Sequence, residues 1–272
     1  MERAQRTRQA GGAGRRRKRG NQPLRLAAYG LAAAALFTVG MLVGGMLSQT
    51  GSAESGEERE ADGMEYLPKS AAALDVEFID QREKYPTGCE SVTAVMALRY
   101  AGLDITVEEF IDSYLPQAPE PVPDGAGVYH SSHPREAFLG SPYSEDGWGC
   151  YAPAIRKAAE RALAVRKSGR KVEDLTGKPL EDLCRDYIDK GVPVILWATM
   201  WMEQPRYGPS IVEDSTGERF DWITPEHCLL LVGEDGESYY FNDPLEGKAV
   251  PYPKAQVEAA YEALGTQALA IQ

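Results

Sequence analysis

Downstream of Cys89 the apolar residues recur three and four apart, at Val92, Val95, Met96 and Leu98, which predicts a helix that Gly102 stops. A Pro86-Thr87-Gly88 turn delivers the chain onto its first turn. Thr106-Val107-Glu108-Glu109 has the capping-box pattern and predicts a second helix through Tyr114. Four prolines between Pro116 and Gly127 predict a loop. Helical spacing returns from about Ala154 to Arg166, and again at Leu180, Leu183, Cys184, Tyr187 and Ile188, where Cys184 reads as a core residue. Strands are predicted at Val76–Ile79 and in the apolar run from Val192 to Met202. His227–Gly233 and Ser238–Asp243, joined by the Glu234-Asp235-Gly236 turn, predict an antiparallel hairpin.

The N-terminal quarter follows another pattern. Leu26 to Leu47 carries no charged residue, enough chain to span a ~30 Å hydrocarbon core as a helix. Residues 1–48 hold nine Lys/Arg against one acid, a net +8, so the rest of the chain carries −20 of the total −12. Basic residues on one side only predict a cytoplasmic N-terminus and an acidic bulk outside the membrane. Gly51-Ser52-Ala53 offers a small-residue cleavage site, but a secretory apolar core is usually ~7–15 residues, so residues 26–47 read as an uncleaved anchor. The division predicted is a basic cytoplasmic tail at 1–25, a transmembrane helix at 26–47, an acidic flexible linker at 48–70 and one domain at 71–272. A domain so acidic repels a phosphate backbone, so no nucleic-acid partner is expected.

Candidate chemistry gathers in two places. A thiol on the first turn of a helix feels the positive end of the helix dipole, which favours thiolate and suits Cys89 to nucleophilic catalysis. The other reading is a small buried hydrophobe. Near the far end, residues whose numbers sum to about 470 should face one another across the hairpin. His227 and Asp243 then meet at its open end, as an imidazole that needs a carboxylate to fix its tautomer requires. A one-residue slip would face them apart. Cys228 should point to the opposite face from His227. His130 and His133 make an H-x-x-H pair with no third ligand nearby and Pro134 beside it, so no metal site and no cofactor are expected. With Cys89 free and reduced, the other three cysteines allow at most one disulfide, and none is expected to be essential.

Taken in order, Gln81, Tyr85-Pro86-Thr87-Gly88-Cys89-Glu90, Phe138-Leu139-Gly140-Ser141-Pro142-Tyr143, Gly147-Trp148-Gly149-Cys150-Tyr151-Ala152-Pro153, Glu226-His227-Cys228 and Asn242-Asp243-Pro244-Leu245 resemble the C39-like peptidase domain of bacterial exported proteins. The resemblance covers residues 74–272. It implies a papain-like α+β fold, with an N-terminal helical part bearing the cysteine packed on an antiparallel sheet bearing histidine and aspartate. It also implies roles: Cys89 the nucleophile, His227 the general base, Asp243 the orienting carboxylate and Gln81 the side-chain oxyanion donor. The better-known C39 peptidases are fused to exporters and trim double-glycine leaders inside the cell. This chain has no P-loop, and that substrate does not carry over.

The expectation is therefore a membrane-anchored cysteine peptidase or amidase acting on a peptide or protein outside the membrane, with the three side chains in hydrogen-bonding reach. Acyl transfer to an amine would use the same triad, and a silent peptide-binding module would keep the fold without the chemistry. Trp148 and Tyr151 are the aromatic residues expected to wall the cleft, ahead of Trp197, Trp201 and Trp222.

Overall fold

The computed structural model describes residues 73–272. The predicted tail, membrane helix and linker (1–25, 26–47, 48–70) lie outside the described residues, as do the first two residues of the predicted domain. Among the described residues no helix is long and apolar enough to cross a membrane.

The frame is a six-stranded, wholly antiparallel sheet. Its strands, in chain order, are β1 (Val172–Asp174), β2 (Val194–Thr199), β3 (Glu226–Glu234), β4 (Ser238–Asp243), β5 (Gly247–Pro253) and β6 (Ala268–Ile271). They lie side by side as β5-β4-β3-β2-β6-β1. The period-two alternation of strands divides the core cleanly. Cys228, Leu230 and Val232 of β3, with Ile195 and Trp197 of β2, pack under helices α1 (Cys89–Tyr100) and α2 (Ala152–Val165). Leu229 and Leu231, with Val194 and Leu196, pack on the other face under α3 (Leu180–Asp186) and α4 (Lys254–Ala263). The expected opposition of His227 and Cys228 follows from this alternation.

Helix α1 is the buried one. Every residue from Cys89 to Leu98 is shielded, including Glu90, Ser91 and Thr93, so no amphipathic stripe marks it. It is pinned to β3 by Thr93 Oγ1, which donates to the Cys228 carbonyl at 3.0 Å. Gly88 begins it because a Cβ there would stand 2.9 Å from the Cβ of Tyr85. Thr106 caps the next helical turn by accepting from the Glu109 amide. That turn runs Val107–Glu109 and then widens into a π-turn over Phe110–Tyr114.

Two expectations shift. Val76–Ile79 is not a strand. Its backbone is held instead by Val76 N donating to Leu74 O and by Asn242 Nδ2 donating to Val76 O. The Val192–Met202 run is a strand only to Thr199, after which a single 3-10 turn, Met200–Met202, takes over. A second, four-stranded sheet brings the hairpin Arg206–Glu213 and Arg219–Thr224 beside the end of β3 where His227 sits.

Candidate active site

The hairpin places His227 against Asp243 by a route the sequence did not show. The pairs are Tyr239 with Glu234 and Tyr240 with Gly233, then Phe241 with Leu231 and Asn242 with Leu230, with a bulge between Tyr240 and Phe241. That register continues to Leu229 opposite Asp243, so His227 is the diagonal neighbour of Asp243 rather than its direct partner. A two-residue offset keeps both side chains on one face, and diagonal pairs lie within side-chain reach. The His227 Nε2···Asp243 Oδ1 distance is 2.8 Å, and both residues are 1 % exposed.

Asp243 is held by more than the histidine. Its Oδ1 also accepts from Leu245 N at 2.9 Å, and its Oδ2 accepts from the Tyr252 hydroxyl at 2.7 Å. Burial acts to raise this carboxyl, but His227 and these donors outweigh it and hold it below its ordinary value. Asp243 is thus an ionised acceptor that fixes Nε2 as the protonated nitrogen. Tyr252, on β5, was not legible because nothing in its sequence surroundings marks it. Tyr252→Phe removes one of three donors to a charged group, so turnover is expected to fall about tenfold or less, with ~1–2 kcal/mol lost in stability. Steady-state kinetics and denaturant titration check both.

A cleft of about 410 Å³ collects the remaining residues. Gln81, Cys89, Trp148 and His227 line it, together with Trp222 and Glu226. Gln81 is brought there by its backbone N, which donates to the Pro244 carbonyl next to Asp243. One N–H of its amide is spent on the Pro86 carbonyl at 3.1 Å, and its Oε1 has no partner among the described residues. Tyr151 does not line the cleft. It stacks on Trp222, centroids 5.5 Å apart and planes within 3°, and Trp222 is the wall. Tyr151 immediately precedes α2. Trp197 is core, 0 % exposed, with its indole N–H on the Cys150 carbonyl.

Cys89 departs from expectation in two ways. Cys89 Sγ donates to Glu90 Oε2 at 3.4 Å rather than to His227, whose Nδ1 is buried with no partner among the described residues. Nor is the thiol biased toward thiolate. Burial, then the charges of Glu90 and Glu226, push it well above its ordinary value and overcome the helix dipole. Glu90 Oε1 accepts from Cys150 N at 2.5 Å, and Glu226 stands close enough that the Cys89 sulfur and one oxygen of each carboxyl lie within 4.8 Å of one another. Burial pushes Glu90 up to about 7 against these hydrogen bonds and the stabilising charge of His227. Burial and Glu90 together push Glu226 well up. Two carboxyls this close in a dry site do not both ionise. Sequence reasoning assigned neither a role, though the signal existed: Glu226 alternates with Cys228, and that face of β3 looks at α1.

All four cysteines are free, and the other three are wholly buried. His130 lies 3.4 Å from Asp124, and His133 packs on Phe220 at a centroid distance of 4.5 Å.

Comparison with known proteins follows from this geometry. The profile of the Peptidase_C39 like family matches residues 73–269. The uncharacterized protein YvpB of Bacillus subtilis (strain 168) is 28% identical over 230 residues, covering 80% of this chain and 83% of that one. The crystal structure of a protein described as a C39-like peptidase from Bacillus anthracis superposes with a TM-score of 0.63 at 26% identity, over 75% of this chain and 98% of the other.

Proposed function

The chain belongs to the Peptidase_C39 like family, and we propose that it is a cysteine peptidase or amidase that cleaves a peptide amide, held outside the membrane by residues 26–47. The observation that carries this is His227. Its Nε2 is fixed on Asp243, and its Nδ1 is left without a partner among the described residues, in a side chain that lines the same cleft as Cys89.

Turnover begins with rotation about the Cα–Cβ bond of Cys89, which takes the sulfur from Glu90 toward His227 Nδ1. The thiol proton passes to Nδ1, and Asp243 stabilises the resulting imidazolium through Nε2–H. The thiolate attacks the substrate carbonyl carbon and forms a tetrahedral oxyanion. Its donors are the Cys89 backbone N–H, on the helical turn whose amides have no partner within the helix, and the second amide N–H of Gln81. Each such donor is typically worth ~3–4 kcal/mol in the transition state. Nδ1–H then protonates the leaving amine. His227 next takes a proton from water, which hydrolyses the thioester and restores the thiol.

The test is labelling joined to product analysis. Iodoacetamide should modify Cys89 at neutral pH in preference to Cys150, Cys184 and Cys228, since Cys89 is 5 % exposed on a cleft and the others are 0 %. A peptide library should yield cleaved products, and an added amine shows whether the acyl group passes to water or to nitrogen. An unmodified Cys89 together with an uncleaved library sinks the proposal.

A further inference from the structure

A threonine at the start of a helix ordinarily turns its hydroxyl to the helix's first amides. Thr87 stands one residue ahead of the N-cap, Gly88, yet no side chain caps α1. Its Oγ1 donates instead across the cleft rim, to Ser144 O at 2.9 Å, and lies 3.3 Å from Ser141 O. Those carbonyls belong to a loop, Gly140–Gly147, whose ends are tied by Leu139 N donating to Gly149 O and Trp148 N donating to Leu139 O. A Cβ on Gly147 would run into Thr87 Oγ1 and the Ser141 carbonyl, so only glycine lets the loop seat this closely. The turn before Cys89 meets the loop twice more. Tyr85 and Tyr143 pack with ring centroids 5.9 Å apart, and a Cβ on Gly88 would stand 3.2 Å from Pro142 Cβ.

Trp148 leaves this loop and lines the cleft with its edge toward Trp222, centroids 5.7 Å apart. Pro86, Met200, Pro209 and Pro225 complete an apolar lining beside Cys89. Among the described residues lining it there is no lysine or arginine, and of its carboxyl groups that of Asp146 belongs to an exposed residue. Such a lining is complementary to a large apolar group, and that complementarity is lost if the wall shifts. We propose that the Trp148–Trp222 wall selects substrates bearing a large apolar side chain beside the scissile amide, and that Thr87 is the positioning residue that locks Trp148 to the turn carrying Cys89. Wall and sulfur then keep a fixed spacing, which is what orients a bound amide for attack. Without the Thr87 hydroxyl, Gly147 N still donates to Ser144 O at 3.3 Å, so the loop loosens rather than unfolds.

Selection in cleavage rests on the peptidase reading; a second readout does not. In a peptide library the native chain should cleave with phenylalanine or leucine at one position ~10-fold better than with alanine there. Trp148→Ala should abolish that ratio. Thr87→Val and Gly147→Ala should each lower it to about threefold or less, through KM rather than kcat. Thr87→Ser should restore it, and Thr87→Val added to Trp148→Ala should cost nothing further. Without turnover, the wall is read by alkylating Cys89 with N-benzyliodoacetamide and with iodoacetamide, each rate normalised to N-acetylcysteine. In both reactions the sulfur displaces iodide. The benzyl reagent should be favoured ~10-fold in the native chain and lose that advantage in the same variants. Circular dichroism checks that each variant folds. Cleavage with no apolar preference, or with a preference for lysine or arginine, overturns the proposal and leaves the peptidase reading standing. So does a preference that survives in folded Trp148→Ala, or in folded Thr87→Val and Gly147→Ala. A benzyl preference that needs Trp148 and Thr87, in a chain that cleaves no peptide, leaves the wall standing and removes the peptidase reading. A Cys89 that neither reagent reaches, in a chain that cleaves nothing, removes both.

Discussion

His227→Ala is expected to lower peptide turnover about 10³–10⁴-fold, at the upper end of what general acid–base catalysis supplies. The expectation is this high because the imidazole has to overcome an unusual starting point. In the resting chain the Cys89 thiol sits against Glu90, and burial with two nearby carboxyls keeps it protonated. Without an acceptor at Nδ1, the only route to thiolate is bulk hydroxide, so both turnover and alkylation should move to high pH. Truncation also strands Asp243, which is 1 % exposed and keeps Leu245 N and the Tyr252 hydroxyl as donors. Breaking a buried pair this way costs ~3–5 kcal/mol, enough to confuse lost chemistry with lost folding. His227→Gln resolves the ambiguity, since its amide can still donate to Asp243 but has no base to offer at neutral pH. Steady-state cleavage and the pH profile of Cys89 alkylation should agree for both variants. Turnover by folded His227→Gln within tenfold of the native chain would show that the imidazole is not the base.

Cys89, His227 and Asp243 were legible for different reasons. The Pro-Thr-Gly turn before an apolar-periodic run places Cys89 on a helix start, and α1 begins at Cys89. The hairpin was legible from its alternation and its turn, and Glu226–Glu234 with Ser238–Asp243 is that hairpin. Its register was not, because a bulge inserts a residue with no sequence mark. The pairing survived only because the error was even, and an odd error would have turned His227 and Asp243 to opposite faces. Val76–Ile79 has strand-forming residues, but side-chain amides and loop carbonyls claim its backbone, which propensity cannot foresee. Tyr151 and Trp222 exchanged places for a similar reason, since which of two stacked rings walls the cleft depends on how the second sheet docks. The largest omission was electrostatic. Glu90 reads as an ordinary acid in the first turn of a helix, where it complements the dipole. Only the burial of α1 from Cys89 to Leu98 and the approach of Glu226 from β3 turn it into half of a mutually repelling pair.

That pair carries the second large effect, on stability, and its sign opposes the usual one. Glu90 is held at about 7 in the folded chain against an ordinary 4.5, chiefly by burial. Between those values the folded state keeps a proton that the unfolded state has released, so stability is greatest below about 4.5 and declines as pH rises toward 7. Glu226, raised by burial and by Glu90, contributes in the same direction. At ~1.4 kcal/mol per pK unit the Glu90 contribution is on the order of 3 kcal/mol. Asp243, held below its ordinary value, acts oppositely but in another window, since its contribution is lost only as pH falls through the acid range. Glu90→Gln keeps an oxygen for Cys150 N and carries no charge to desolvate, so its stability should be flatter with pH. Relative to the native chain it should gain ~5–10 °C in melting temperature between pH 5 and pH 8, taking ~2–4 °C per kcal/mol for a domain of this size. Thermal unfolding followed by circular dichroism in EDTA reads this directly. The same substitution removes the acceptor that keeps Cys89 away from His227, so alkylation at pH 6–7 should quicken as the stability curve flattens. Parallel melting curves for the two proteins across that range would mean that Glu90 ionises in the fold as it does in water, and that nothing restrains the thiol.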